Sequence, residues 1–132
     1  AITRIRAALP NVRQIISEPG KAIAQPSMAL AMRVLEIQEM AEDETEAVVD
    51  GSIAELPMHF FYPHRILGRN NRSGTWETLK RGKTRLMGRL CMEHDQVASN
   101  VELPKDARPG DVLIFCDAGG YDRSMSYEFG RG

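Results

Sequence analysis

The chain reads as a mainly β domain of sandwich or barrel type, preceded by one α/β unit. Three observations predict this. Short apolar segments of strand character recur along residues 28–116, separated by turn-rich runs. One of them, Met28-Ala29-Leu30-Ala31-Met32-Arg33-Val34, alternates with period two, the mark of a half-buried strand. Ahead of these, residues 2–20 follow a different order of helix pattern, apolar run and sharp turn.

Taken in order, Ile2, Ile5, Ala8 and Leu9 share one helical face, and Pro10 ends that pattern. Val12–Ile16 reads as a short strand. Ser17-Glu18-Pro19-Gly20 is a tight turn, with Pro fixing one dihedral and Gly permitting an unusual one. Helix, strand and turn, with polar groups at the strand's end, is the form of the last unit of an α/β barrel. Residues 1–24 are assigned to that unit and residues 25–132 to the β domain. The Met28–Val34 strand leads into Glu36–Glu46, whose six acidic residues read as a solvated strand end and connection rather than a metal site. Ala47–Val49, His59–Tyr62, Arg85–Cys91, Val97–Leu103 and Asp111–Cys116 are the remaining expected strands. Gly68–Gly74 and Pro104–Gly110 are the expected connections.

The totals bound the function. A chain of 132 residues is one domain's worth and can bury a core. A net charge of −1 gives no electrostatic reason to expect nucleic acid or an anionic membrane as partner. No apolar run approaches the ~20 residues that span a bilayer. The start, Ala1-Ile2-Thr3-Arg4, has no signal-peptide pattern and no Met, and reads as a cleavage or boundary point. Two cysteines, Cys91 and Cys116, without a secretory segment suggest reduced thiols and a cytoplasmic protein.

Three segments carry potential chemistry. In Glu18-Pro19-Gly20-Lys21 a carboxylate, a backbone N–H and a cation sit at a strand end, a set suited to a phosphate and a ring nitrogen. The same tetrapeptide is also an ordinary surface turn. In Arg89-Leu90-Cys91-Met92-Glu93-His94-Asp95 a cysteine meets polar groups and is either a tuned acid or nucleophile, or a structural thiol. A zinc set of Cys91, His94, Asp95 and Cys116 lacks the usual paired spacing. In Gly110-Asp111 through Asp117-Ala118-Gly119-Gly120-Tyr121 an apolar strand ends in a carboxylate, two glycines and a phenol. Glycines let backbone approach a ligand, and a phenol can donate to phosphate. An ordinary strand and hairpin would look the same.

The order of these segments resembles the C-terminal part of the fold-type-III pyridoxal-phosphate decarboxylases, which act on diaminopimelate, ornithine or arginine. The resemblance runs from about Ile15 to the end of the chain. It rests on Glu18-Pro19-Gly20-Lys21 where the family has Glu-Pro-Gly-Arg, on Val49-Asp50-Gly51 and Tyr62, and on Gly88-Arg89-Leu90-Cys91 for Gly-Pro-x-Cys. It continues through Gly110-Asp111, Asp117–Tyr121 and Ser124-Met125-Ser126. It implies a C-terminal β domain of a two-domain enzyme with a (β/α)8 barrel, of which only the last unit is present. It implies pyridoxal 5'-phosphate as cofactor and a homodimer with the active site at the interface. Glu18 would pair with the pyridine nitrogen, and Gly20, Lys21 and Tyr121 would hold the phosphate. Cys91 would reach the partner subunit's site and return a proton to the α-carbon. The family's cofactor-carrying lysine and Gly-rich loop lie in barrel segments outside this chain, so the fragment alone is expected to be inactive.

The substrate positions depart from the family. Met58 stands where diaminopimelate enzymes have Arg, Pro63 where ornithine enzymes have Asp, and Met92 where both have an acid after the Cys. An ammonium group among methionines would be unpaired, which is costly. A simple diamino acid is therefore not the expected substrate. Tyr62, Met58, Met92 and His59 are the expected substrate contacts, and His59, His64 and Arg65 suit an anionic or hydrogen-bonding tail. Two other classes compete: a non-catalytic homologue that dimerises with an active relative, and a free-standing β domain with a binding role.

Overall fold

The computed structural model describes residues 2–70 and 72–130. The elements are α1 (Ile2–Ala8), α2 (Gly20–Ala24), β1 (Leu30–Glu39), β2 (Thr45–Val49), β3 (Ile66–Arg69), β4 (Trp76–Thr78), β5 (Lys80–Met87), β6 (Gln96–Glu102), β7 (Val112–Phe115) and α3 (Asp122–Met125). The strands form one seven-stranded sheet in the order β4-β3-β7-β1-β2-β5-β6.

β1 is the centre of the sheet because its alternation gives it a buried face. Met32 and Val34 are buried while Ala31 and Arg33 are exposed. It pairs antiparallel with β7 on one side, Leu30 opposite Phe115, and with β2 on the other. β2 then runs parallel to β5, which pairs antiparallel with β6. Irregularities within β1 and along the β5–β6 pair bend the sheet, as bulges do. Ile66 of β3 and Val97 and Val101 of β6, near opposite ends of the strand order, consequently line one cleft of about 450 Å³. The sheet is therefore curled towards a barrel around Phe115, Met32, Leu56, Leu86, Val34 and Val49.

Several expected elements change. Val12–Ile16 is not a strand: among the described residues no strand lies beside it to pair its backbone groups, and Val12 and Ile16 are exposed. Ahead of it α1 forms as expected. His59–Tyr62 is not a strand either; Pro57, which has no N–H to give a ladder, opens a 3₁₀ turn over Pro57–Phe60. Two strands, β3 and β4, were not expected. Their hairpin closes over the run read as a connection, where the Asn70 side chain accepts the Arg72 and Ser73 N–H groups. β5 begins at Lys80 and ends at Met87, earlier at both ends than expected. β1 continues through Glu36 to Glu39 before a solvated 3₁₀ turn over Ala41–Asp43.

Candidate functional site

Two of the three chemical segments meet. Residues 24–28 lie backbone to backbone against the loop after β7. The Ala118 N–H donates to the Met28 carbonyl and the Gly119 N–H to the Gln25 carbonyl, each at 3.0 Å. A Cβ on Gly119 would stand 2.0 Å from the Ala24 carbonyl oxygen, so only glycine allows this approach. Lys21 is carried to the same place: its Cγ is 3.5 Å from where a Gly120 Cβ would be.

The Lys21 ammonium lies 3.9 Å from the centroid of the Tyr62 ring, a cation–π contact. The Tyr62 hydroxyl donates to the Gly120 carbonyl at 2.7 Å. Lys21, Tyr62 and the Gly120–Tyr121 turn thus share one surface built from three distant segments. Tyr121 takes φ 73°, a left-handed conformation that is costly for a bulky side chain. The residue is 53% exposed.

Behind this surface lies a buried polar network. The Asp122 carboxylate accepts the Met58 N–H at 3.0 Å and lies 3.4 Å from the Tyr62 hydroxyl. Its Oδ2 is 3.5 Å from His64 Nε2, and His64 Nδ1 is 2.9 Å from the Cys116 carbonyl. Burial and the Asp122 charge push the Tyr62 phenol above its ordinary range. Asp122 lies outside the sequence expectation; only the fold brings it within reach of Met58, 64 residues earlier. The His64 side chain is buried: Nδ1 is taken by the Cys116 carbonyl, while Nε2 makes no hydrogen bond.

Cys91 occupies a second loop. Its thiol is exposed, whereas that of Cys116 is buried. The loop is held by Asp95, which is 1% exposed and accepts the Ile53 N–H at 2.8 Å and the Leu90 N–H at 2.7 Å. A Cβ on Gly88 would lie 2.3 Å from the Asp95 carboxylate, which explains the glycine there. Arg89 ties the loop to the turn after β2, donating to the Asp50 carbonyl at 3.0 Å and to Glu55 at 2.8 Å. The Glu55 bond holds the Arg89 guanidinium above its usual value. The tail after Tyr121 links the two loops: the Tyr127 N–H donates to the Ala54 carbonyl, and Gly130 packs on Leu90.

The other expected residues are placed less uniformly. Met58 and His59 sit on the 3₁₀ turn beside Tyr62. His59 lines the 450 Å³ cleft together with Glu93 and His94 of the Cys91 loop, and burial lowers its pKa. Met92 packs partly buried against the core. Glu18 is exposed, and its carbonyl accepts the Gly20 N–H at 2.9 Å, which turns that donor inward. Arg65 is exposed and 3.9 Å from Asp117.

Residues 22–119 match the family described as pyridoxal-dependent decarboxylase, C-terminal sheet domain. The chain is 27% identical to a diaminopimelate decarboxylase of Actinosynnema pretiosum, over 96% of this chain and 30% of that protein. It is 31% identical to an ornithine decarboxylase of Schizosaccharomyces pombe, over 89% of this chain and 30% of that one. Among solved structures it is similar to diaminopimelate decarboxylase from Helicobacter pylori complexed with L-lysine, with a TM-score of 0.74 and 22% identity over 96% of this chain and 30% of that. It also resembles lysine/ornithine decarboxylase from Vibrio vulnificus complexed with cadaverine, with a TM-score of 0.71 and 24% identity over 97% of this chain and 34% of that. The chain therefore spans about a third of the length of these relatives.

Proposed function

Because this chain belongs to the pyridoxal-dependent decarboxylase family, as its C-terminal sheet domain, we propose that it completes the active site of a pyridoxal-phosphate amino-acid decarboxylase. The observation that carries this is the convergence of Lys21, Tyr62 and the Gly120–Tyr121 turn. The Lys21 ammonium and the exposed Tyr121 phenol are both groups that can donate to a phosphate. The Gly20 N–H turns inward and fits less well, so Lys21 and Tyr121 would carry phosphate binding. Glu18, exposed on the same turn, is free in direction to meet the pyridine nitrogen. Pyridoxal phosphate, when bound, supplies the electron sink that lets a carboxylate leave as carbon dioxide.

The exposed Cys91 thiol holds the proton to be returned to the substrate α-carbon. Its anchoring through Leu90 and Asp95 positions it without burying it. Phe60, Phe61, Tyr121, Met125 and Phe129 are all more than half exposed. Exposed apolar side chains of this size support cover by the rest of a longer protein and by a second copy, and argue against a free-standing binding domain. The sheet domain alone would be inactive.

Residue 58 is an uncharged Met, and the acid that meets its N–H, Asp122, is buried, which argues against a simple diamino acid as substrate. His59 offers its second ring nitrogen instead, and the Tyr62 oxygen, whose proton goes to the Gly120 carbonyl, can only accept. The test is the full-length protein, assayed for cofactor absorbance and for carbon dioxide release from a panel of amino acids. Cofactor binding that is weakened by Lys21→Ala and Tyr121→Phe is expected. A full-length protein that takes up no pyridoxal phosphate would sink the enzyme reading. Efficient turnover of ornithine or diaminopimelate would sink the substrate reading alone.

A further inference from the structure

We infer that Arg89 is a positioning residue: its guanidinium, forked between the Asp50 carbonyl and the Glu55 carboxylate, sets the direction in which the loop presents the Cys91 thiol. This deepens the reading of Cys91 as proton donor and rests on it for its catalytic consequence.

Three hydrogen bonds run from this one residue to the turn after β2. The Arg89 N–H donates to the Gly51 carbonyl at 3.0 Å. Nη1 donates to the Asp50 carbonyl at 3.0 Å and Nη2 to Glu55 Oε1 at 2.8 Å. A planar guanidinium holds two acceptors at a fixed mutual angle, which an ammonium on a flexible stem does not. Proline, which the resembling family carries at this position, fixes its own dihedral and donates nothing. The arginine is fixed from outside instead.

The receiving turn is itself held. The Arg33 N–H of β1 donates to the Asp50 carboxylate at 2.7 Å, and the Asp50 N–H donates to the Arg33 carbonyl at 2.9 Å. The Ser52 hydroxyl donates to Glu55 Oε2, so the carboxylate that accepts from Arg89 is also held at its other oxygen. Fixed on the central strand, the turn is a reference point for the loop.

The loop is thus fastened at two successive residues. Leu90 is held from the interior by Asp95, which accepts its N–H at 2.7 Å, and Arg89 is held by the turn. Cys91 is the next residue, and its thiol is exposed. The two fastenings differ in exposure. Asp95 is 1% exposed, whereas the Arg89 and Glu55 side chains are 26% and 15% exposed. Solvent screens the second pair, so it adds less to stability. Its contribution is to geometry, and a reacting group misplaced by about 1 Å can cost about a hundredfold in rate.

The test compares the full-length protein with Arg89→Lys, which keeps the charge and loses the fork. Hydrogen exchange of the Gly88–Leu90 amides is expected to be roughly fivefold faster in the variant, and that of Gly119–Asp122 unchanged. Equal exchange over Gly88–Leu90 overturns the inference. Carbon dioxide release is then measured with the panel amino acid of highest kcat/KM. Arg89→Lys is expected to lower kcat roughly tenfold, with KM and the urea midpoint unchanged. An unchanged kcat, or a midpoint that falls in step with it, overturns the inference. In a Cys91→Ala background Arg89→Lys is expected to lower kcat no further, because Arg89 acts through the thiol; a second tenfold fall overturns the positioning role. If Cys91→Ala alone leaves kcat unchanged, or no amino acid releases carbon dioxide, the proton-donor reading fails, and faster exchange in Arg89→Lys still upholds the fork as what sets the loop.

Discussion

Two fully buried carboxylates hold the two halves of the candidate site, and they do it by different chemistry. Asp95 is closed by backbone donors, the Ile53 and Leu90 N–H groups, at 2.8 and 2.7 Å. Asp122 is met by one backbone donor and two side chains, Tyr62 and His64. The first arrangement welds two turns together and leaves the nearby Cys91 thiol exposed. The second ties the Tyr62 and His64 side chains to the start of α3. Backbone donors fix geometry alone, whereas a clamp that includes the Tyr62 phenol also raises that group's pKa.

The comparison breaks most sharply at Asp95. Asp95→Ala leaves two buried N–H groups without partners and is expected to cost roughly 2–5 kcal/mol, read as a fall in the denaturant midpoint. A loss below that range would mean the loops are held otherwise. Gly119→Ala comes next: the new methyl cannot sit 2.0 Å from the Ala24 carbonyl. A backbone shift costing about 1–3 kcal/mol is expected, with Lys21 drawn off the Tyr62 ring and weaker cofactor binding in the full-length protein. Tyr62→Phe removes a hydroxyl bonded to Gly120 and is expected to cost about 1 kcal/mol, while leaving the Cys91 loop's hydrogen-exchange protection unchanged. If protection fell in both loops, the two halves would not be separately held.

The smallest effect concerns pH. Folding lowers the His59 pKa, chiefly by burial. The unfolded chain therefore binds the proton more readily, and the stability this residue contributes is complete above its ordinary value. It declines as pH falls below about 6.5. His59→Gln should flatten the stability profile between neutral and mildly acidic pH, as chemical denaturation at several pH values would show. An unchanged slope would assign the acid sensitivity to another group.

Much of the fold was legible in the sequence. The alternation from Met28 to Val34 predicts β1, and Met32 and Val34 are indeed among the most buried side chains. The Asp111–Cys116 apolar run predicts β7 to within a residue at each end. Legibility failed where an apolar run had no sheet to join or a polar run had one. Val12–Ile16 has strand composition but no neighbouring strand among the described residues, while Gly68 and Arg69 lie in β3 despite their turn-like surroundings. Strand propensity is largely packing against neighbours, which a local window does not contain.

By itself, then, the sequence determined the local periodicities, the turns and the chemically capable groups: the Glu18–Lys21 turn, Cys91 and the Asp117–Tyr121 loop. Only the tertiary structure decided which of them meet. It set Lys21 on Tyr62, turned the Gly20 N–H inward, sent Met92 to the core and gave Asp95 and Asp122 their partners. The reason is physical. Periodicity and side-chain chemistry are properties of neighbouring residues. The partner of a buried charge is chosen by topology, across separations of 42 residues for Asp95 and Ile53 and 64 for Asp122 and Met58.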